Sequence, residues 1–208
     1  MSPHRRYLFF VAAVLVSACS GSVVSDSPAA LCPEPVDPLP GLQSGEQPWS
    51  PALATLETRL EQGGYPILTQ EGHALDRHVA VRVFVEGREV VVPESIGING
   101  IEVAGGIMET GFVTEMHTHD DSGLVHVHAV AERPFTLGEF FDVWGVALTS
   151  ERVGGYCADA DRSVRLFLDG GEQTIDPRSQ ELANQSTIVI AYGTVDQLPN
   201  PIPIGTRS

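Results

Sequence analysis

The 208-residue chain contains no lysine; all 12 of its basic residues are arginine. They stand against 27 acidic residues, for a formal charge of -15. A chain so poor in positive charge is a poor partner for nucleic acid or an anionic membrane surface. Cysteine is scarce too: three residues, none in a Cys-x-x-Cys pair, which argues against a thiolate metal site. No apolar run approaches the ~20 residues that a spanning helix needs. HExxH, GxSxG and phosphate-loop motifs are also missing, so the common local signatures of zinc proteases, serine hydrolases and nucleotide-binding loops are absent. The length suits one domain with a real core, or two small ones.

Histidine is what the chain has, and it is concentrated. Four of seven histidines fall between His117 and His128, as the pairs His117-Thr118-His119 and His126-Val127-His128. Asp120-Asp121-Ser122-Gly123 lies between them and favours a tight turn. Side chains two apart on a strand share a face, so each pair shares one. A loop of two or four residues in that segment pairs His119 with Leu124, His117 with His126 and Glu115 with His128. All four imidazoles and Glu115 then lie on one side of a β-hairpin. Phe112, Met116, Val125 and Val127 form an apolar stripe on the other side. A three-residue loop would split the histidine pairs between faces, but would also break that stripe. Opposed residues have Cβ atoms roughly 4.5–5.5 Å apart. Imidazole nitrogens so placed can converge on one ion at about 2.0–2.1 Å. The competing reading is a hydrogen-bonded polar face with no metal. Gly111 followed by His117-x-His119 also matches part of a cupin motif, but its glutamate and second half are missing.

The N-terminus reads as a targeting segment. His4-Arg5-Arg6 is a basic region, Tyr7 to Val16 an apolar one, and Val16-Ser17-Ala18-Cys19 resembles a bacterial lipobox. The expectation is a signal peptide over residues 1–18, cleavage before Cys19, and lipidation of Cys19. An ordinary secretory peptide is the alternative, and it also exports the chain. Multiple acyl chains give a stable anchor where one does not. The expected location is the bacterial cell envelope, outside the cytoplasm, with the lipid bilayer as partner. Losing residues 1–18 removes Arg5 and Arg6 and no acid. Cys32 and Cys157 remain as a possible disulfide. Cys32 lies in a proline-rich stretch, which leaves the pairing open.

Residues 19–48 read as a Pro/Ser-rich tether, residues 49–197 as a single α+β domain, and residues 198–208 as a loose tail. Ser50 as N-cap, Pro51 in the first turn and Gly63-Gly64 as stop predict a helix from Pro51 to Gln62. Val79–Val85 and Glu89–Val92 predict a hairpin about Glu86-Gly87-Arg88, and Ile96–Gly111 looks irregular. Val164–Gly170 repeats the pattern of Val81–Gly87 and predicts a second hairpin of the same turn chemistry. Thr136 and Glu139 form a capping-box pattern ahead of Leu137, Phe140, Phe141 and Trp144, with Gly145 as the stop. Strands are expected at Val164–Leu168, Gln173–Ile175 and Thr187–Tyr192. From Phe112 on, the order strand, strand, helix, strand, strand, strand is that of a β-grasp, ubiquitin-like sheet with one packed helix. Residues 49–111 would add a helix and hairpin that extend or flank the core at residues 112–193.

The strings His117-Thr118-His119-Asp120, Ser122-Gly123, His126-Val127, then Phe135–Gly145 and Gly154-Gly155-Tyr156-Cys157, resemble a family of uncharacterised bacterial exported proteins over residues 64–193. The resemblance implies a shared architecture and shared histidines, and no reaction. That family carries a His-x-His-x-His run entering its first strand; the matching positions here are Asp76, His78 and Ala80. The resemblance thus adds His78 as a ligand, with Asp76 a substitute oxygen donor, while Ala80 departs from the pattern. His73 reads as a loop residue, and His4 leaves with the leader.

The first functional reading is an anchored protein binding a divalent transition metal through His117, His119, His126, His128 and His78. Neutral imidazoles suit zinc, copper(II) or nickel, with zinc and copper the leading candidates. The alternatives are a zinc-dependent hydrolase with Glu115 as general base, and a β-grasp interaction module that holds no metal.

Overall fold

The computed structural model describes residue 32 and residues 39–207. Residues 1–18, read as a leader, Cys19 and most of the stretch read as a tether lie outside the described residues. Where the tether is described, it is docked. Cys32 is disulfide-bonded to Cys157, with Cα atoms 5.3 Å apart. Gln43 N–H donates to the Gly145 carbonyl, and Gly155 N–H to the Gly45 carbonyl. Trp49 is buried edge-on against Trp144 and Tyr156.

The helix expected from Pro51 begins later, as α1 (Leu56–Gly63), after a 3₁₀ turn at Leu53–Thr55. Ser50 does not cap it, because Ala52 takes a left-handed φ of 50° and redirects the chain. Gly64 ends it in the left-handed conformation, as expected. β1 (Leu75–Val85) and β2 (Arg88–Val90) form the first hairpin. The stretch read as irregular contains a second hairpin, β3 (Ile98–Val103) and β4 (Ile107–Val113), a separate two-stranded sheet. β5 (Met116–His117) and β6 (Leu124–Ala129) are the histidine strands. α2 (Leu137–Trp144) follows with its capping box complete between Thr136 and Glu139, and Gly145 as left-handed stop. The stretch after α2 folds into three short strands, β7 (Leu148–Thr149), β8 (Arg152–Val153) and β9 (Tyr156–Cys157). β10 (Ser163–Leu168), β11 (Gly171–Gln173) and β12 (Thr187–Gly193) complete the chain.

The protein is mixed α+β and strand-rich. Its main sheet runs β11-β10-β12-β1-β6-β5, with β2 also on β1. β1 is therefore central rather than flanking: it lies parallel to β12 and antiparallel to β6. The cause is composition. Val79, Val81, Val83 and Val85 are all buried on one face, against Leu56, Leu60, Phe140, Phe141 and Trp144 of the two helices. A strand so apolar is costly at an edge and stable between neighbours. Arg59 of α1 is fully buried and donates to the Asp142 carbonyl at 2.6 Å and the Val143 carbonyl at 2.9 Å, closing the end of α2. The repeated hairpin signal is turn chemistry. Glu86-Gly87 and Asp169-Gly170 both have positive φ at two successive residues, as a two-residue hairpin turn requires.

The other face of the sheet is divided. Toward β10 it is apolar: Phe84, Phe167, Val189 and Ala191 pack under Leu198 and Ile202. The tail read as loose thus crosses the sheet, and Arg207 N–H donates to the Ser122 carbonyl. Toward β5 the same face carries the histidines. A strap at residues 68–74 closes over them. Leu68 exchanges backbone bonds with Val113, Glu71 N–H donates to Gly106, and Gly72 N–H donates to His128. Gly72 lies so close to Ala129 that a Cβ would collide with its backbone.

Candidate metal centre

The hairpin register is the one the alternation predicts. His117 pairs with His126, and Met116 with Val127. Met116, Val125, Val127 and Phe112 all face the core. The intervening turn spans residues 118–123, longer than expected, so His119 and Leu124 do not pair, but the even register keeps Met116 and His117 on their predicted faces. β1 then adds a third strand, with His78 opposite His126 and Asp76 opposite His128. His78, His126 and His117 form a row across three strands.

All five predicted histidines meet in one cluster. Ring centroids are 4.6 Å apart for His78 and His126, 4.6 Å for His119 and His126, 5.2 Å for His117 and His128, and 5.4 Å for His126 and His128. Cys19 lies outside the described residues. Glu115 is not in the cluster. Its carboxylate accepts from Val130 N–H at 3.1 Å and from Arg133 at 3.3 Å. It is buried and ion-paired with Arg133 rather than with the imidazoles. Asp76 stands at the edge, 3.5 Å from His78 Nδ1 and 3.4 Å from His128 Nε2.

Two carboxylates that sequence reasoning missed complete the cluster. Glu71, on the strap, has Oε1 2.8 Å from His117 Nε2 and 3.4 Å from His119 Nε2, and Oε2 2.9 Å from His128 Nδ1. Glu102, on β3, has Oε2 3.6 Å from His119 Nδ1. Gly106 permits the strap's approach: its φ is +72°, and a Cβ there would strike the Glu71 carboxylate. Glu71 has no periodic pattern around it to flag it. Glu102 has none either: it is partly buried between the exposed Ile101 and Val103, the reverse of what its polarity suggests.

His117 is the best-defined donor. Its side chain is fully buried, and Nδ1 lies 3.0 Å from the Thr114 carbonyl. A carbonyl only accepts, so Nδ1 carries the proton and, in the neutral ring, Nε2 presents its lone pair. Fixing the far nitrogen in this way is how metal-ligating histidines are oriented. Nε2 faces Glu71 Oε1 without the alignment of a hydrogen bond. Those two atoms, His126 Nδ1, His128 Nδ1 and Glu102 Oε2 are all buried with no hydrogen-bond partner. Buried polar atoms are ordinarily paired. Five acceptor-capable atoms without an aligned hydrogen bond, gathered in one cluster, fit a cation.

Burial, and then the neighbouring His117, His119, His78 and His128, push His126 down to about 4. Glu71 is held down to about 2, chiefly by the His117 imidazole and further by His128, against opposing burial. At neutral pH the site therefore offers a neutral His126 imidazole and a Glu71 carboxylate. Four triads have donor atoms within 4.8 Å of one another: His78/His126/His128, His117/His119/His126, Glu71/His117/His128 and Glu71/Glu102/His119. Ligands of one ion at about 2.1 Å lie at most ~4.2 Å apart, so small side-chain rotations suffice. A cleft of about 470 Å³ beside Glu71, His73, Asp76, Gly106 and His128 opens the cluster to solvent. Compared with known proteins, the chain matches no family model, no curated protein and no solved structure.

Proposed function

We propose that this protein is a lipid-anchored, extracytoplasmic binder of a divalent transition metal, zinc or copper(II), held by His117, His119, His126, His128 and His78 with Glu71. The observation that carries this reading is His117: a buried ring fixed by Thr114, with its free nitrogen aimed at an unpaired carboxylate oxygen. Export and anchoring are supported by the leader pattern ending at Cys19, and export by the Cys32–Cys157 bridge. A β-grasp architecture is supported by the order β11-β10-β12-β1-β6, with parallel β1 and β12 at the centre and α2 following β6. In that scheme β1, not β5, is the first strand, and β3 to β5 are an insertion that brings metal ligands to it. Membership of the exported family that the histidine and aromatic strings resemble belongs to the same proposal. Binding is preferred to hydrolysis because Glu115, the base a hydrolase reading needs, is committed to Arg133.

The test is the metal content of the purified chain, by mass spectrometry, beside a His117→Ala/His119→Ala variant. The expected result is stoichiometric zinc or copper in the wild type and its loss in the variant. A wild-type protein that takes up neither metal, with unchanged melting on adding either, would refute the reading.

A further inference from the structure

We infer that the cluster holds two metal ions, bridged by the Glu71 carboxylate; this rests on the metal-binding reading above. Donor number points there first. Five imidazoles and two carboxylates enter the four triads, whereas a zinc ion usually takes four ligands. Two of the triads, His78/His126/His128 and Glu71/Glu102/His119, have no residue in common. His78 and His117 flank His126 on strands β1 and β5, about two strand spacings or ~9–10 Å apart along the backbone row. Among the described residues no triad contains both.

Glu71 supplies the link. Its two oxygens address different histidines: Oε1 faces His117 and His119, and Oε2 faces His128. A carboxylate so placed can give one oxygen to each of two ions, which in two-metal sites lie roughly 3.5–4 Å apart. One ion then takes His78, His126 and His128 from β1 and β6. The other takes His119 and Glu102, with His117 Nε2 pointing at the same Glu71 oxygen. The atoms without hydrogen-bond partners divide accordingly: His126 Nδ1 and His128 Nδ1 on one side, His117 Nε2, Glu102 Oε2 and Glu71 Oε1 on the other, with Glu71 Oε2 reaching across to His128. Glu71 arrives on the strap and Glu102 on the β3–β4 hairpin, so the second ion would tie these outer segments to the main sheet.

The experiment titrates the metal-free full chain with copper(II), reading bound metal by mass spectrometry and spin state by electron paramagnetic resonance. Two ions per chain are expected, the second equivalent diminishing the signal of the first through magnetic coupling. His78→Ala and Glu102→Gln should each leave one ion and an uncoupled signal. His78 is half-exposed and Glu102 lies outside the main sheet, so both variants are expected to fold, checked by circular dichroism. One ion per wild-type chain overturns the second site while leaving the proposed function standing. No bound ion overturns both.

Discussion

Glu71→Gln separates a metal centre from a hydrogen-bonded histidine face. The substitution keeps the shape of the strap and removes one charge. In the metal-free protein near pH 8, the new amide can donate to His117 Nε2, which Glu71 approaches to 2.8 Å, so stability should hold or rise slightly. In the metal-loaded protein the carboxylate that touches three of the five imidazoles is gone. Loss of even an outer-shell partner typically lowers metal affinity by about 10–100-fold, and a direct ligand should reach the upper end. With zinc at about 100 times its dissociation constant, binding stabilises the wild type by ~2.7 kcal/mol. For a domain of this size that raises the melting temperature by roughly 5–11 °C. At the same zinc concentration a 100-fold weaker variant gains only ~0.4 kcal/mol, or about 1–2 °C. Differential scanning calorimetry with and without zinc measures both numbers. Equal zinc-induced shifts in wild type and Glu71→Gln would refute the assignment of Glu71 as a ligand.

Acid should weaken both the fold and its metal. His126 has a folded value of about 4 against an ordinary 6.5, so the unfolded chain takes up a proton that the buried ring refuses. Stability is then full above pH 6.5 and falls as pH drops toward 4, and urea midpoints should show a shallower slope in His126→Gln. Glu71 follows the same sign lower down: its contribution is present above the ordinary carboxylate value of 4.5 and is lost as pH falls through about 2. Metal should leave in the histidine range, since a protonated imidazole cannot ligate, as zinc retention during stepwise dialysis will show. Thr136→Ala removes the α2 capping box and should cost about 1 kcal/mol in urea unfolding without changing metal stoichiometry. Arg59→Met leaves the Asp142 and Val143 carbonyls at the end of α2 without their buried donor and should cost about 3 kcal/mol, again with metal content unchanged.

Local chemistry was legible wherever neighbours in sequence are neighbours in space. The capping box of α2, the paired Glu-Gly and Asp-Gly turns and the His117–His126 register all depend on residues within one or two turns of chain. The apolar partners Met116, Val125 and Val127 left only one register that buries them together. Helix α1 was misplaced at its start because Ala52 takes a backbone conformation that alanine rarely adopts. The β3–β4 hairpin was hidden because glycines interrupt it and Ile101, Val103 and Ile107 point outward, which breaks the apolar alternation.

His117, His126 and His128 of the β5–β6 hairpin share a face because side chains alternate along a strand, which follows from backbone geometry and needs no knowledge of the rest of the chain; His119 joins them from the turn. Which strand would lie beside them was a tertiary decision. The burial of the β1 valines against both helices draws β1 between β12 and β6, and with it His78 into the row. Glu71 and Glu102 reach the imidazoles only because the strap bonds to β4 and to the end of β6 across long sequence separations. Those contacts carry no local signature, since they are fixed by where whole elements pack and not by the residues beside them.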